Sequence, residues 1–247
     1  MSKRKIWLEI GIVFSLSLGA SAVYSIISLI ASLTSKAGLS GTTQNLNPSL
    51  ARQEWLDFSY QFLGVAFGLA PIALALYLLS SDSSSPFNKI GLRFIRFGQS
   101  VNRGLLLALI IGVPGLGLYV LARALGWSAK LVPSQFDGYW WVIPMLLFAA
   151  LRAALLEEVL VIGYLFDRLQ LLGFGSKTVL VGSALLRGTY HLYQGFGGFI
   201  GNTVMGLVFG LAYQRWGKVM PLVIAHFALD AVAFVGFAQL SKFIHLP

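Results

Sequence analysis

Apolar residues run through this chain in long stretches separated by short polar segments. The stretches fall at about 7–33, 59–80, 104–122, 140–166, 178–194, 199–214 and 219–240. Each approaches or exceeds the roughly 17–25 residues that cross a bilayer as a helix. The pattern predicts an all-α fold, a polytopic transmembrane helical bundle of about seven to eight helices. One integral membrane domain then spans residues 1–247, and the last stretch is free to break in two. Thr34 to Asp57 reads as a polar loop with Gly38, Gly41 and Pro48, and Trp55 as an interfacial residue. Ser80 to Pro86 reads as a flexible linker. After it, residues 89–103 place Ile90, Phe94, Phe97 and Val101 on one helical face and Lys89, Arg93, Arg96 and Arg103 largely on another. That predicts either a basic amphipathic helix on the inner leaflet, in contact with anionic lipids, or an ordinary juxtamembrane anchor.

Composition agrees with a bilayer environment. The chain is 57% hydrophobic and 11% charged, against roughly 25% charged in soluble domains. Its net charge of +9 is explained by topology without invoking nucleic acid. Eleven basic residues (Lys3, Arg4, Lys5, Lys89, Arg93, Arg96, Arg103, Arg168, Lys177, Arg215 and Lys218) fall on one side of the alternating spans. Five (Lys36, Arg52, Arg123, Lys130 and Lys242) fall on the other. The asymmetry predicts a cytoplasmic N-terminus and an external C-terminus in the plasma membrane. Lys3-Arg4-Lys5, an apolar stretch and Ala20-Ser21-Ala22 have the layout of a cleaved signal peptide. The apolar run continues through Val23, Ile26 and Leu29 to Leu33, which favours an uncleaved first span. There is no cysteine, which excludes thiol catalysis and cysteine-based metal sites.

Glu157 and Glu158 are adjacent carboxylates within the apolar run from Tyr139 to Phe166. An ionised carboxylate at mid-bilayer costs about 3 kcal/mol on insertion scales. Arg152, Arg187, His191, His226 and Asp230 also lie inside the predicted fourth, fifth and seventh spans. Unpaired, the seven would cost close to 20 kcal/mol in all, so they must pair or line a wet cavity. Arg187 and His191 are four apart, as are His226 and Asp230, so each pair shares a helical face. Glu157 and Glu158 diverge by about 100° on a helix, so one points at a shared centre and the other braces it. At 1.5 Å per residue, Glu157 lies roughly 15 Å above Asp167 and His226 roughly 12 Å above Lys218. The depths overlap between the cytoplasmic half and the middle of the membrane. Arg152 shares no face with either glutamate and reads as structural or interfacial, and His245 lies beyond the last span. Gly198, Asn202, Gly206 and Gly210 form a four-residue ridge that lets another helix approach closely, with Asn202 placed to reach the site.

These residue types suit acid–base chemistry. A carboxylate in an apolar setting is poised as a general base for water, an imidazole can orient that water, and a second imidazole can donate to an oxyanion. Two His and a Glu also make a zinc set, although no His-Glu-x-x-His helix occurs. Proton relays in transporters use the same side chains, but no inverted repeat of the transporter type is visible.

Three motifs resemble the CPBP family of intramembrane proteases, named for CAAX proteases and bacteriocin-processing enzymes. They are Glu157-Glu158 with Ile162 four residues on, Arg187-Gly188-Thr189-Tyr190-His191, and His226-Phe227-Ala228-Leu229-Asp230. The resemblance implies a catalytic helical core over 139–240 and an intramembrane glutamic endopeptidase without a cofactor. Its substrate would be a membrane-associated peptide or protein. By the same resemblance Glu157 is the general base, His191 helps position water, His226 and Asp230 form the oxyanion side, and Glu158 supports. Ile162 stands where the family carries Arg, and Arg187 where it carries Phe, so Arg187 would supply the positive charge from the facing helix. A catalytically silent scaffold or immunity factor of the same fold is the alternative, with a proton-coupled transporter behind it.

Overall fold

The computed structural model describes residues 2–80, 85–132 and 138–236. Ser81–Ser84 of the expected linker, the end of the expected last span at 237–240, and His245 lie outside the described residues. The chain is helical almost throughout, in the order α1 (Lys3–Ser15), α2 (Leu18–Thr34), β1 (Thr43–Asn45), α3 (Glu54–Gly68), α4 (Ala70–Leu79), α5 (Pro86–Lys89) and α6 (Phe97–Ala124). There follow β2 (Lys130–Val132), α7 (Val142–Glu157), a π-helical stretch (Glu158–Tyr164), α8 (Leu165–Leu171), α9 (Ser176–Thr189), a 3-10 turn (Leu192–Gln194), α10 (Phe196–Trp216), α11 (Met220–Ala231) and a second π-helical stretch (Val232–Gly236).

Three helical runs, Glu54–Leu79, Phe97–Ala124 and Phe196–Trp216, are each long and apolar enough to cross a membrane, and the bent pair α1–α2 makes a fourth. Large apolar side chains face outward along these runs, with Phe67 73% and Phe62 54% exposed. A soluble surface would not keep such a belt, whereas lipid solvates it.

The expected first span is two helices meeting at 55°. The bend has a local cause: Ser17 donates through Oγ to the Val13 carbonyl at 2.6 Å, and Ser15 to that of Ile12 at 3.0 Å. Such back-bonding competes with the helical ladder and bends it. Val13, Phe14, Leu18 and Ala22 of this pair pack into the main core.

Residues 89–103 do not form the expected single amphipathic helix. α5 ends at Lys89 and α6 begins at Phe97. Between them Gly91 has φ +66° and Arg96 φ +54°, conformations that no continuous helix accommodates. Tertiary packing sets this break. The Ile90 carbonyl accepts from Val219 N at 2.9 Å, and a Cβ on Gly91 would lie 2.3 Å from the Gly217 carbonyl oxygen. Ile90 is itself buried in the core.

Loop contacts sort the ends of the helices into two faces. β1 and β2 pair in parallel, Thr43 opposite Lys130 and Asn45 opposite Val132, so the α2–α3 and α6–α7 connections share one face. The Ile90–Gly91 turn meets Gly217–Met220, and Lys89 pairs with Asp167 at 2.9 Å, which gathers the other connections opposite. α7, the π stretch and α8 form one thirty-residue run from Val142 to Leu171. Glu157 therefore lies about 22 Å from one end and about 21 Å from the other, at mid-depth.

α10 packs along α9 through glycine. A Cβ on Gly206 would sit 2.9 Å from Ala184 Cα and 3.3 Å from Arg187 Cδ, and one on Gly210 2.4 Å from Leu180 Cδ1. The lower part of the small-residue ridge thus brings the α9 backbone, and Arg187 with it, against α10. Gly206→Leu must push the helices apart. We predict a loss of about 1–3 kcal/mol, read as a lower unfolding temperature in detergent. Gly182→Ala on α9, where an added Cβ meets nothing within 4 Å, should leave stability unchanged or raise it by up to about 1 kcal/mol.

Candidate active site

All the ionisable residues of the predicted fourth, fifth and seventh spans except Arg152 converge where α7, α9 and α11 meet. Arg187, on the last turn of α9, is fully buried. Its Nε and Nη2 donate to Glu157 Oε2 at 3.3 and 3.1 Å. The same Nη2 makes a short ion pair with Glu158 Oε1. One guanidinium therefore bridges both carboxylates, and its carbon sits 5.4 Å from the centre of the Phe209 ring. An ion pair at this depth holds only if both partners are well hydrogen-bonded.

His226 on α11 completes the cluster, with Nδ1 2.8 Å from Glu158 Oε1 and Nε2 3.5 Å from Asp230 Oδ2. Nδ1 also lies 3.3 Å from Arg187 Nη2. Two donors cannot face each other, so the consistent arrangement has Nδ1–H donating to Glu158, with Nε2 turned to Asp230. The one-turn spacing of His226 and Asp230 makes the second contact local to α11.

The two glutamates occupy different environments. Glu158 is fully buried, with Oε1 taken by Arg187 and His226 and Oε2 without a partner. Glu157 Oε2 accepts three donors: Arg187 Nε, Arg187 Nη2 and the Tyr190 hydroxyl, the last at 2.8 Å. Its Oε1 has no partner among the described residues, and the side chain keeps 11% of its surface exposed. Glu157 is therefore anchored through one oxygen and open at the other. Glu158 is a brace for Arg187 and His226. The helix widens into its π stretch at Glu158, an irregularity that often marks functional positions.

His191 departs from the expected span over 178–194. α9 ends at Thr189, and His191 lies beyond it in the turn that leads to Gly195, whose φ is +98°. The turn must leave the helix to fold back into α10, and a positive φ at Gly195 lets it do so. His191 still faces Arg187, with Nδ1 3.0 Å from the Arg187 carbonyl oxygen. A carbonyl only accepts, so Nδ1 carries the proton and Nε2 offers a lone pair. Ser25 of α2 secures this turn by accepting from Tyr193 N at 2.6 Å, and the Gln194 carbonyl accepts from Ala129 N.

Other expected residues lie elsewhere. Arg152 packs on Gly68 at the junction of α3 and α4, where a Cβ would meet its Cδ at 2.6 Å. Asn202 does not touch the carboxylate cluster, because its Nδ2 donates to the Gly198 carbonyl at 3.0 Å. It shares a cavity of about 1020 Å³ with Asp230. Ile162, at the position where the resembled family carries arginine, is buried in the apolar core. Tyr190 and Ser25 were not singled out in the sequence. Tyr190 is three residues after Arg187 and one before His191, and that spacing was its only signal. Among the described residues no three His, Cys, Asp or Glu side chains are grouped to hold a metal ion. Glu157, Glu158 and His226 instead gather on the Arg187 cation.

The site of this helical membrane protein thus joins an Arg-bridged Glu pair and two imidazoles at mid-depth. In the comparison with known families, residues 139–232 match the Rce1-like family, described as type II CAAX prenyl endopeptidase Rce1-like. The matched segment contains Glu157, Glu158, Arg187, His191, His226 and Asp230, and the resemblance carried by the three motifs holds there. It supports an intramembrane endopeptidase of the CAAX type. No curated protein and no solved structure gives a significant match to the chain.

Tyr190→Phe removes one donor to a charged acceptor without changing shape. We predict a stability loss of about 1.5–3 kcal/mol, measured by unfolding in detergent, with helix content unchanged.

Proposed function

We propose that this protein is an intramembrane glutamic endopeptidase that cleaves a membrane-associated peptide or protein. The observation that carries the reading is the asymmetry of Glu157, held at Oε2 by three donors and open at Oε1. Oε1 takes a proton from water as the water oxygen attacks the scissile carbonyl carbon. His191, with its lone pair at Nε2, accepts from the same water and orients it. The carbonyl π electrons move to oxygen, and a protonated His226 donates to that oxyanion while Glu158 holds Nδ1. Asp230 orients the ring. When the intermediate collapses, the C–N bond breaks and Glu157 returns its proton to the leaving amine. One new carboxylate and one new amine result.

The reading needs no cofactor, and zinc would compete with Arg187 for the same carboxylates. The N-terminus is assigned to the cytoplasm by the eleven-to-five distribution of basic residues, and the plasma membrane is the expected location. Lys89, Arg93, Arg96 and Arg103 would then border the inner leaflet and favour anionic lipids. No nucleic-acid partner is invoked.

One observation favours a silent scaffold or immunity factor of the same fold: Arg187 already engages one oxygen of each carboxylate, Glu157 Oε2 and Glu158 Oε1, so the pair is balanced as a structural ion cluster. Glu157→Gln separates the readings. We predict that purified protein cleaves members of a quenched-peptide library, and that the variant, matched for thermal stability, loses about 10²–10⁴-fold in rate. Activity should survive a chelator. Chelator-sensitive cleavage would establish a metal enzyme. A Glu157→Gln variant that keeps the cellular phenotype would establish the scaffold, and flux driven by a pH gradient in liposomes would establish a transporter.

A further inference from the structure

The cavity of about 1020 Å³ lies between α6, α10 and the end of α11. It is at the upper end of the range for ligand clefts, about 300–1,000 Å³. Its α6 wall is apolar, with Leu105, Leu109, Val113 and Leu116. The opposite wall is different: it is formed by the glycine face of α10 (Gly197, Gly198 and Gly201) together with Gln194, Asn202 and Asp230. Asp230 belongs to the active-site cluster through His226, so the cleft is continuous with the site.

The polar wall presents acceptors. Asn202 uses Nδ2 on the Gly198 carbonyl and Gln194 uses Nε2 on the Tyr193 hydroxyl. Among the described residues Asn202 Oδ1, Gln194 Oε1 and Asp230 Oδ1 have no hydrogen-bond partner. Across the cleft Pro114 lies inside α6. Proline has no N–H, so it removes the helical bond to the carbonyl of the residue four before it, Ile110. Both line the cleft. Acceptors in an apolar cleft at membrane depth are costly unless a donor meets them. A hydrocarbon chain brings no donor. A peptide main chain brings one N–H per residue.

We propose that this cleft binds an extended, uncharged apolar segment of peptide, its main-chain N–H groups on Gln194, Asn202, Asp230 and Ile110 and its apolar side chains against α6. The lining of α6 runs from Leu105 to Leu118, about 20 Å of helix. At about 3.3 Å per residue this accommodates about six residues of extended chain. Small residues on α10 let the peptide backbone approach that wall closely. Naming the bound segment as substrate rests on the endopeptidase reading, whereas the binding itself does not.

The test uses the full-length Glu157→Gln protein in detergent, so that binding is read without turnover. The probe is an end-capped hexapeptide of alternating leucine and alanine carrying one benzophenone side chain, photolysed and mapped by mass spectrometry. Labels are expected within 105–118 and 194–204. Gly201→Leu should reduce labelling by about tenfold or more, the equivalent of about 1.4 kcal/mol. A Cβ at Gly201 meets only Leu118 Cδ2, at 3.4 Å, and one at Gly115 meets nothing within 4 Å. Gly115→Leu therefore fills the cleft from the opposite wall, as a second variant that guards against misfolding. The same probe with every peptide nitrogen methylated should label equally weakly. Undiminished labelling by the methylated probe would overturn the proposal in favour of a hydrocarbon site, and labels outside the cleft, or unaffected by both variants, would also overturn it. Labelling as expected, combined with a wild type that hydrolyses no peptide, would keep the cleft and remove the protease reading.

Discussion

Two neighbouring carboxylates buried at the middle of a membrane require a cation, and Arg187 meets that requirement for both. Its Nη2 reaches Glu157 Oε2 at 3.1 Å and pairs with Glu158 Oε1, and Glu158 in turn holds His226 at 2.8 Å. Breaking a buried pair by removing one partner costs about 3–5 kcal/mol, so the cluster orders the helices that carry it. α7, α9 and α11 cannot shift independently without stranding a charge. Site geometry and helix packing are thereby one constraint, and the glycine contacts of α10 on α9 serve it by bringing the backbone of Arg187 into place.

The rest of the fold supports that cluster from two directions. The bent α1–α2 pair supplies the core face with Val13 and Phe14 and reaches the His191 turn through Ser25. At the face opposite the β pair, fully buried Arg168 joins Glu9 at 3.2 Å, Asp167 at 2.7 Å and the Leu78 carbonyl. That second arginine ties α1, α4 and α8 together. Two buried arginines thus hold the two halves of the thirty-residue run, one in the middle and one near its end.

Much of this was legible in the sequence because charges in lipid have few options. The cost of ionisable groups in three spans forced six of the seven together, Arg152 packing elsewhere on Gly68, and their one-turn spacings identified shared faces. The family resemblance, with Ile162 where an arginine is usual, implied that Arg187 supplies the positive charge, and Arg187 does pair with both glutamates. Periodicity failed where the backbone leaves the α-helix. Both glutamates reach Arg187 although an α-helix places them about 100° apart, because one long guanidinium lies between the two directions and bonds an oxygen of each. The amphipathic pattern over 89–103 describes one helix, yet the packing of Gly91 on Gly217 outweighs it. Ser25 carried no signal, being 168 positions from the backbone N–H it accepts.

The most direct test of the account is a double-mutant cycle on unfolding stability with Glu158→Gln, Arg187→Met and the pair together. If one guanidinium holds the cluster, each single change costs about 3–5 kcal/mol, and the double variant costs less than their sum by about 2–3 kcal/mol. Additive effects, with no coupling between the two positions, would contradict the claim that Arg187 is the cation on which this site is built.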